Sequence, residues 1–321
     1  MTDPIDPWPG ELVPVGTGDM FVRSAPALAG AEPAVFVHGL GGSSTNWTDL
    51  MDLLRRPPAD GRDGPALACE AVDLPGFGHS PVPASGDYSI DAMAVAVSDL
   101  IEERGNWPVH LVGNSLGGAV AVRLAGRRPD LVRSLTLVSP AMPDLRPRLI
   151  PLRVALMCAP GVGPWLLGRA AVRVTPEDRA TLVIKDVYAD PDRVHPKRRA
   201  EEIAEMTRRD GLGYADTVLV ATARGLVTEY FRQGPRSLWR DAVRVTAPTL
   251  VIYGSHDKLV RPSVAAAAAR VFRGARVVLL PRTGHVAMME RPGLVANEIR
   301  GLLAATRHTA PVSSDATATS G

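Results

Sequence analysis

Aromatic side chains are scarce in this chain: five Trp, five Tyr and five Phe make up 5% of 321 residues. Ala, Val and Leu must therefore build most of any core. Cysteine is nearly absent. Cys69 and Cys158 could form at most one disulfide, and each lies in its own apolar run. That placement predicts buried free thiols and a reducing compartment. A large charge of one sign is also lacking: 36 − 34 leaves +2, too little for a generic electrostatic grip on nucleic acid. The longest uncharged apolar stretch of the middle third, Val154 to Gly168, has 15 residues broken by two Pro and three Gly, which is too short to span a bilayer. The start, Met1-Thr-Asp-Pro-Ile-Asp-Pro-Trp-Pro9, is acidic and proline-rich rather than basic and apolar. It does not read as a secretory leader, so a cytoplasmic location is expected. No internal repeat, metal-ligand spacing or phosphate-binding glycine loop occurs, and neither a metal nor a cofactor is expected.

The composition is that of a folded globular protein: 45% hydrophobic and 22% charged. This excludes a disordered, collagen-like or coiled-coil chain. At this length folding removes roughly 75% of the unfolded surface from water, and no staples are needed. The charge is uneven. Residues 141–240 carry 17 Lys/Arg against 12 Asp/Glu, a balance of +5, which leaves 2 − 5 = −3 for the rest.

Short apolar runs end repeatedly in small or turn-forming residues. These are Ala34–Val37, Ala66–Val72, Val109–Val112, Leu135–Val138, Thr249–Tyr253 and Arg276–Leu280. Continuous apolar runs of this length predict strands buried on both faces. Helical patterns separate them at Ser89–Arg104, Leu116–Gly126, Pro262–Phe272 and Pro292–Ala305. The first opens on a capping serine and stops at Gly105. Strand and helix alternation predicts an α/β protein, a parallel sheet with helices on both faces. The alternation fails in residues 141–240, which read as a helical insertion or lid. The expected organisation is a core in two parts, 1–140 and 241–308, around the insertion 141–240, with a disordered tail 309–321.

One motif carries the most chemistry. Gly113-Asn114-Ser115-Leu116-Gly117 matches G-x-S-x-G between an apolar strand and a helix. A serine on a sharp strand-to-helix turn is crowded, so small residues must flank it two positions either side. The helix start then presents N–H groups beside the hydroxyl, where they can hold negative charge.

Here the chain resembles the α/β-hydrolase family. His38-Gly39-Leu40-Gly41-Gly42 resembles the family's oxyanion loop, and Asp73-Leu-Pro-Gly-Phe-Gly-His-Ser80 its D-x-x-G-x-G-x-S loop. The resemblance covers about Ala34–Pro140 and Arg240–Ala305. It implies a mostly parallel central sheet with an inserted helical lid. It also implies an acid and then a histidine late in the chain, supplied by Tyr253-Gly-Ser-His-Asp257 and Arg282-Thr-Gly-His285. The implied triad is Ser115 as nucleophile, His285 as base and Asp257 as acid, with Asp144 as the alternative acid after the earlier strand. The implied oxyanion donors are the backbone N–H groups of Leu40 and Leu116, with Gly41 as a substitute for Leu40. Of the other histidines, His38 is expected to organise the oxyanion loop, His79 to brace its own loop and His110 to lie in the core. His256 is expected to point away from the site, while His195 and His308 have no supporting context. Asp73 looks structural.

A serine nucleophile excludes the subfamilies that use aspartate. The elbow is similar to that of monoacylglycerol-lipase-like esterases and of meta-cleavage-product hydrolases, which break a C–C bond. The latter carry Trp after the catalytic His, where this chain has Val286. The favoured reading is a carboxylic ester hydrolase acting on small to medium-chain esters or monoacylglycerol-like lipids through an acyl-enzyme. C–C hydrolase, lactonase, thioesterase, perhydrolase and acyltransferase are the alternatives. A non-catalytic binding module is the reading from another class, and the complete triad weighs against it. Expected partners are a small-molecule ester or lipid and no nucleic acid. The apolar clusters at 149–157 and 162–167 read as an acyl-pocket lining that includes Leu152 and Leu166, as an interfacial patch touching anionic lipid, or as plain packing. Trp47 is a core residue or a pocket wall.

Overall fold

The computed structural model describes residues 4–57, 64–144 and 174–309. Cys158, Leu152, Leu166 and both apolar clusters of the insertion lie outside the described residues, as does all but the first residue of the expected tail.

Eight strands form one sheet: β1 (Gly10–Val15), β2 (Gly18–Ser24), β3 (Glu32–Val37), β4 (Leu67–Val72), β5 (Val109–Asn114), β6 (Val132–Val138), β7 (Thr249–Gly254) and β8 (Arg276–Leu280), in the order β1-β2-β4-β3-β5-β6-β7-β8. β2 pairs antiparallel with β1 and β4, and every other pairing is parallel. All six expected strands are present. The β1–β2 hairpin was not expected from the sequence, and the burial pattern gives the reason. This hairpin at the sheet edge buries only Val13 of β1 and Met20 and Val22 of β2, whereas every residue of β5 and β7 is buried.

The helices follow from local signals. α1 is Thr48–Leu54. α2 (Ile90–Arg104) is capped by the Ser89 hydroxyl, which accepts from Ala92 N–H at 3.2 Å, and ends at Gly105 with φ 68°. α3 is Leu116–Arg127. Four helices lie between β6 and β7 among the described residues: α4 (Pro176–Val187), α5 (Pro196–Asp210), α6 (Ala215–Phe231) and α7 (Leu238–Arg244). α8 (Val264–Val271), α9 (Ala287–Glu290) and α10 (Pro292–Thr309) complete the chain. None of these helices is long and apolar enough to cross a membrane.

The sheet separates two cores, and strand alternation feeds both. Val35, Val37, Leu111, Leu135, Leu137, Val251 and Tyr253 pack on the α2, α3 and α8 side. Ala34, Phe36, Val112, Val138, Leu250 and Ile252 pack with α1 and α10. Each buried Val, Leu or Phe contributes about 1.5–3 kcal/mol of transfer free energy. Cys69 is a free, buried thiol in the second core, and burial pushes its pKa up. Trp47, read above as core or pocket wall, is fully buried there against Phe36, with ring centroids 5.4 Å apart. Its ring is core packing and offers no wall to a pocket.

The order β4-β3-β5 places the site. After β3 the chain steps outward to β4, then crosses back over β3 to β5. In open parallel sheets, the crevice beyond the carboxyl ends at such a reversal is where ligands bind. The loops that follow β3 and β5 begin at His38 and Ser115.

Candidate active site

Ser115 stands between the last residue of β5 and the first of α3, with φ 52° and ψ −115°. A non-glycine residue in that region is strained. The strain is held by Ser115 N–H donating to Val138 O (3.1 Å) and Ser115 O accepting from Ala141 N–H (2.9 Å) and Ala119 N–H (3.1 Å). The flanking glycines are required by space. A Cβ on Gly113 would press into the Gly117 carbonyl, and one on Gly117 into the Val37 carbonyl. Ser115 is half-buried between fully buried neighbours, so a reagent can reach it.

His285 follows β8 and is 3% exposed. Its Nδ1 lies 2.9 Å from Asp257 Oδ2. The other carboxylate oxygen of Asp257 accepts from Leu259 N–H (2.8 Å) and Val260 N–H (2.9 Å). Burial pushes the Asp257 carboxyl up, but the His285 imidazole and these N–H donors outweigh it, and the group lies below its ordinary value. An ionised Asp257 accepting at Nδ1 leaves the lone pair of His285 on Nε2, the tautomer a base needs.

The loop after β3 reaches the same place. A side chain on Gly39 would begin 3.2 Å from Ser115 Cβ. Gly42 N–H donates to Gly39 O at 3.0 Å, closing a turn through Leu40 and Gly41. No acceptor among the described residues takes the N–H of Leu40 or of Leu116. His38 is buried and neutral in character: burial lowers its pKa. Its Nε2 accepts from Leu74 N–H at 3.0 Å, and its Nδ1 donates to Gly39 O at 2.7 Å. Asp73 accepts from Ser44 N–H (2.6 Å) and His79 N–H (2.8 Å), tying the two glycine loops together.

The remaining histidines lie elsewhere. His110 is buried between Ser134 (2.8 Å) and Glu32 (2.9 Å). His256 is exposed and lies 2.9 Å from Ser255 Oγ. The His79 ring stands 4.8 Å from that of Phe21, and His195 caps α5. Asp144 lies beyond β6, where its charge adds to the burial that pushes Tyr230 up to about 12.

Three supporting residues escaped the sequence reading. Asn114 Nδ2 donates to Val138 O (3.0 Å) and His285 O (3.2 Å), joining the elbow to the histidine loop. Glu290 accepts from Gly284 N–H at 2.7 Å and Ala189 N–H at 3.2 Å, and His285 N–H donates to Val187 O at 2.7 Å. Arg209, on α5, donates to Gly41 O at 3.1 Å. Only the position of Asn114 inside the G-x-S-x-G motif could have marked any of them.

Residues 33–292 match the family described as alpha/beta hydrolase fold. The chain belongs to that family. Among characterised relatives, this hydrolase is 25% identical over 296 residues to lipase 3 of Moraxella sp. (strain TA144), covering 89% of this chain and 82% of that protein. It is 31% identical over 285 residues to the dihydrolipoyllysine-residue acetyltransferase component of an acetoin cleaving system from Cupriavidus necator, and spans 65% of that protein's length against 88% of its own. A monoacylglycerol lipase of Xenopus laevis is 26% identical over 292 residues, with 86% of this chain and 76% of that protein covered. Among solved structures, a bacterial membrane phospholipase A superposes with a TM-score of 0.74 at 22% identity, over 93% of this chain and 86% of that one. The meta-cleavage product hydrolase of Pseudomonas fluorescens IP01 superposes at 0.71 and 16%, over 91% and 97%. At these identities the structural likeness speaks for the fold alone.

Proposed function

We propose that this protein is a serine hydrolase of carboxylic esters acting through an acyl-enzyme on Ser115. The observation that carries the proposal is the Asp257–His285 pair, held at 2.9 Å in the loops beyond the strand ends where the strained Ser115 elbow lies. In this reading Ser115 attacks the ester carbonyl while His285 takes its proton. The tetrahedral oxyanion is held by the N–H groups of Leu40 and Leu116, and the protonated His285 returns its proton to the leaving alcohol. Water repeats the cycle on the acyl-enzyme. Asp257 fixes the tautomer and stabilises the imidazolium. The names of the relatives support a lipid or ester substrate; we take small to medium-chain acyl groups as the preferred substrates, and the insertion 141–240 as the segment that would select them.

The test combines a p-nitrophenyl ester panel from acetate to palmitate, fluorophosphonate labelling and Ser115→Ala. The variant should fold as wild type, lose the label and lose turnover by about 10⁴–10⁶, because the triad acts as a unit. More than a tenth of wild-type activity in folded Ser115→Ala would refute the nucleophile. Turnover of a dienone C–C substrate with inert esters would move the reading to the C–C hydrolases.

A further inference from the structure

The oxyanion turn is clasped by the inserted segment. α5 ends over the two glycine loops, and its adjacent arginines each donate to one of them: Arg209 Nη1 to Gly41 O at 3.1 Å, Arg208 Nη2 to Gly78 O at 2.7 Å. Both carbonyls belong to glycines with positive φ, 74° and 51°. Gly41, the third residue of the turn Gly39–Gly42, takes a positive φ that side chains rarely adopt, and the turn closes through Gly42 N–H and Gly39 O. A small cavity persists between the loops and α5, lined in part by Gly42, Gly76, Phe77, Arg208, Arg209 and Leu212. Above this part of the turn, contact with α5 is therefore carried by an arginine rather than by close packing. The two arginines differ in what they hold. Arg208 is also paired with Glu205 at 2.7 Å and grips the loop after β4, whereas Arg209 grips the turn that contains Leu40.

We propose that Arg209 is a positioning residue. Its hydrogen bond to Gly41 O holds the Gly41–Gly42 peptide, whose Gly42 N–H donates to Gly39 O. Gly39 O shares a peptide plane with the Leu40 N–H, so the bond sets the direction of that N–H towards the oxyanion. The proposal rests on the reading that Leu40 is an oxyanion donor. A donor displaced by a fraction of an ångström stabilises the transition state less, while ground-state binding changes little. The loss should appear in kcat.

Arg209→Ala, Arg209→Gln, Arg209→Lys and Arg208→Ala should be compared with wild type on a p-nitrophenyl ester. Inhibition by a trifluoromethyl ketone is measured alongside, because its serine adduct carries an oxyanion in the same place. Arg209→Ala and Arg209→Gln should lower kcat by about tenfold to a hundredfold, less than deletion of a donor. KM should stay within about threefold, and the ketone's Ki should rise by the same factor as kcat/KM falls. Arg209→Lys, whose ammonium can donate to the same carbonyl, should recover most of the loss. Arg208→Ala should stay within about threefold of wild type in kcat. If Arg209→Ala fails to fold, the Gln and Lys variants carry the comparison. Three outcomes overturn the proposal: kcat within about twofold of wild type in Arg209→Gln, a rise in KM alone, or an equal kcat loss in Arg208→Ala. Retained activity in Ser115→Ala would instead overturn the underlying chemistry, which separates the two failures.

Discussion

At Asp257 the balance of burial against hydrogen bonding can be read as an expected pH dependence. Burial favours the neutral acid, but His285 and two backbone N–H groups favour the carboxylate and outweigh it. A group whose folded pKa is depressed contributes stability above its unfolded pKa and loses it as pH falls through the folded value. The stability difference between wild type and Asp257→Asn should therefore shrink as pH falls below about 4, through the depressed folded value. Urea unfolding of both proteins as a function of pH checks it. In catalysis Asp257→Asn should cost about 10⁴ in kcat, because the amide holds the wrong tautomer of His285, while Asp144→Asn should cost less than about tenfold. Steady-state kinetics on one ester decides; a reversed order would place the acid after β6.

Among the elements, α3 does more than start beside Ser115. Its Arg123, fully buried, reaches three other elements: Asp91 on α2 at 2.9 Å, Asp241 on α7 at 2.9 Å, and Glu229 on α6. Asp91 is shared with Arg127 at 2.9 Å and Arg232 at 2.6 Å. The cluster joins the helix behind Ser115 to the insertion. Removing the central charge leaves Glu229 and Asp241, with side chains 3% and 0% exposed, to more exposed counter-charges such as Arg232 at 3.4 Å and Arg244 at 3.0 Å. Breaking a buried ion pair from one side costs about 3–5 kcal/mol. Arg123→Ala should lose that much unfolding free energy in urea titration. Arg193→Ala, an exposed position of the insertion, should lose less than about 0.5 kcal/mol.

For the molecule as a whole, substrate choice is a question about what covers the strand ends. The described part of the insertion meets the turn Gly39–Gly42 through Arg209 and the His285 loop through Val187. An acyl chain enclosed under it gains roughly 0.8 kcal/mol per buried methylene, or about fourfold in kcat/KM. Activity should rise from acetate towards medium-chain esters and fall when the site is full. Leu152→Glu or Leu166→Glu should flatten the rise while sparing acetate. A profile unchanged by both would place the acyl site elsewhere.

The buried strands, the main helices of the core and the order of the motifs were legible in the linear chain. Each is a local pattern: an apolar run, a capping serine, a glycine where no side chain fits. Ser115, Asp257 and His285 were named from motifs that sit at strand ends. The packing of residues distant in sequence was not legible. The β1–β2 hairpin is an edge with too few buried positions to show a period. Trp47 could stand beside the oxyanion loop as core or wall, and only the tertiary burial against Phe36 made it core. Asn114, Glu290, Arg123 and Arg209 act across 171, 101, 106 and 168 residues of chain. No local period encodes such pairings, because their partners are backbone carbonyls, amides and lone charges that many sequences would offer. The candidate site is marked at the turns, where strain and small residues leave a local signature; what braces those turns is decided by which helices the fold lays across them.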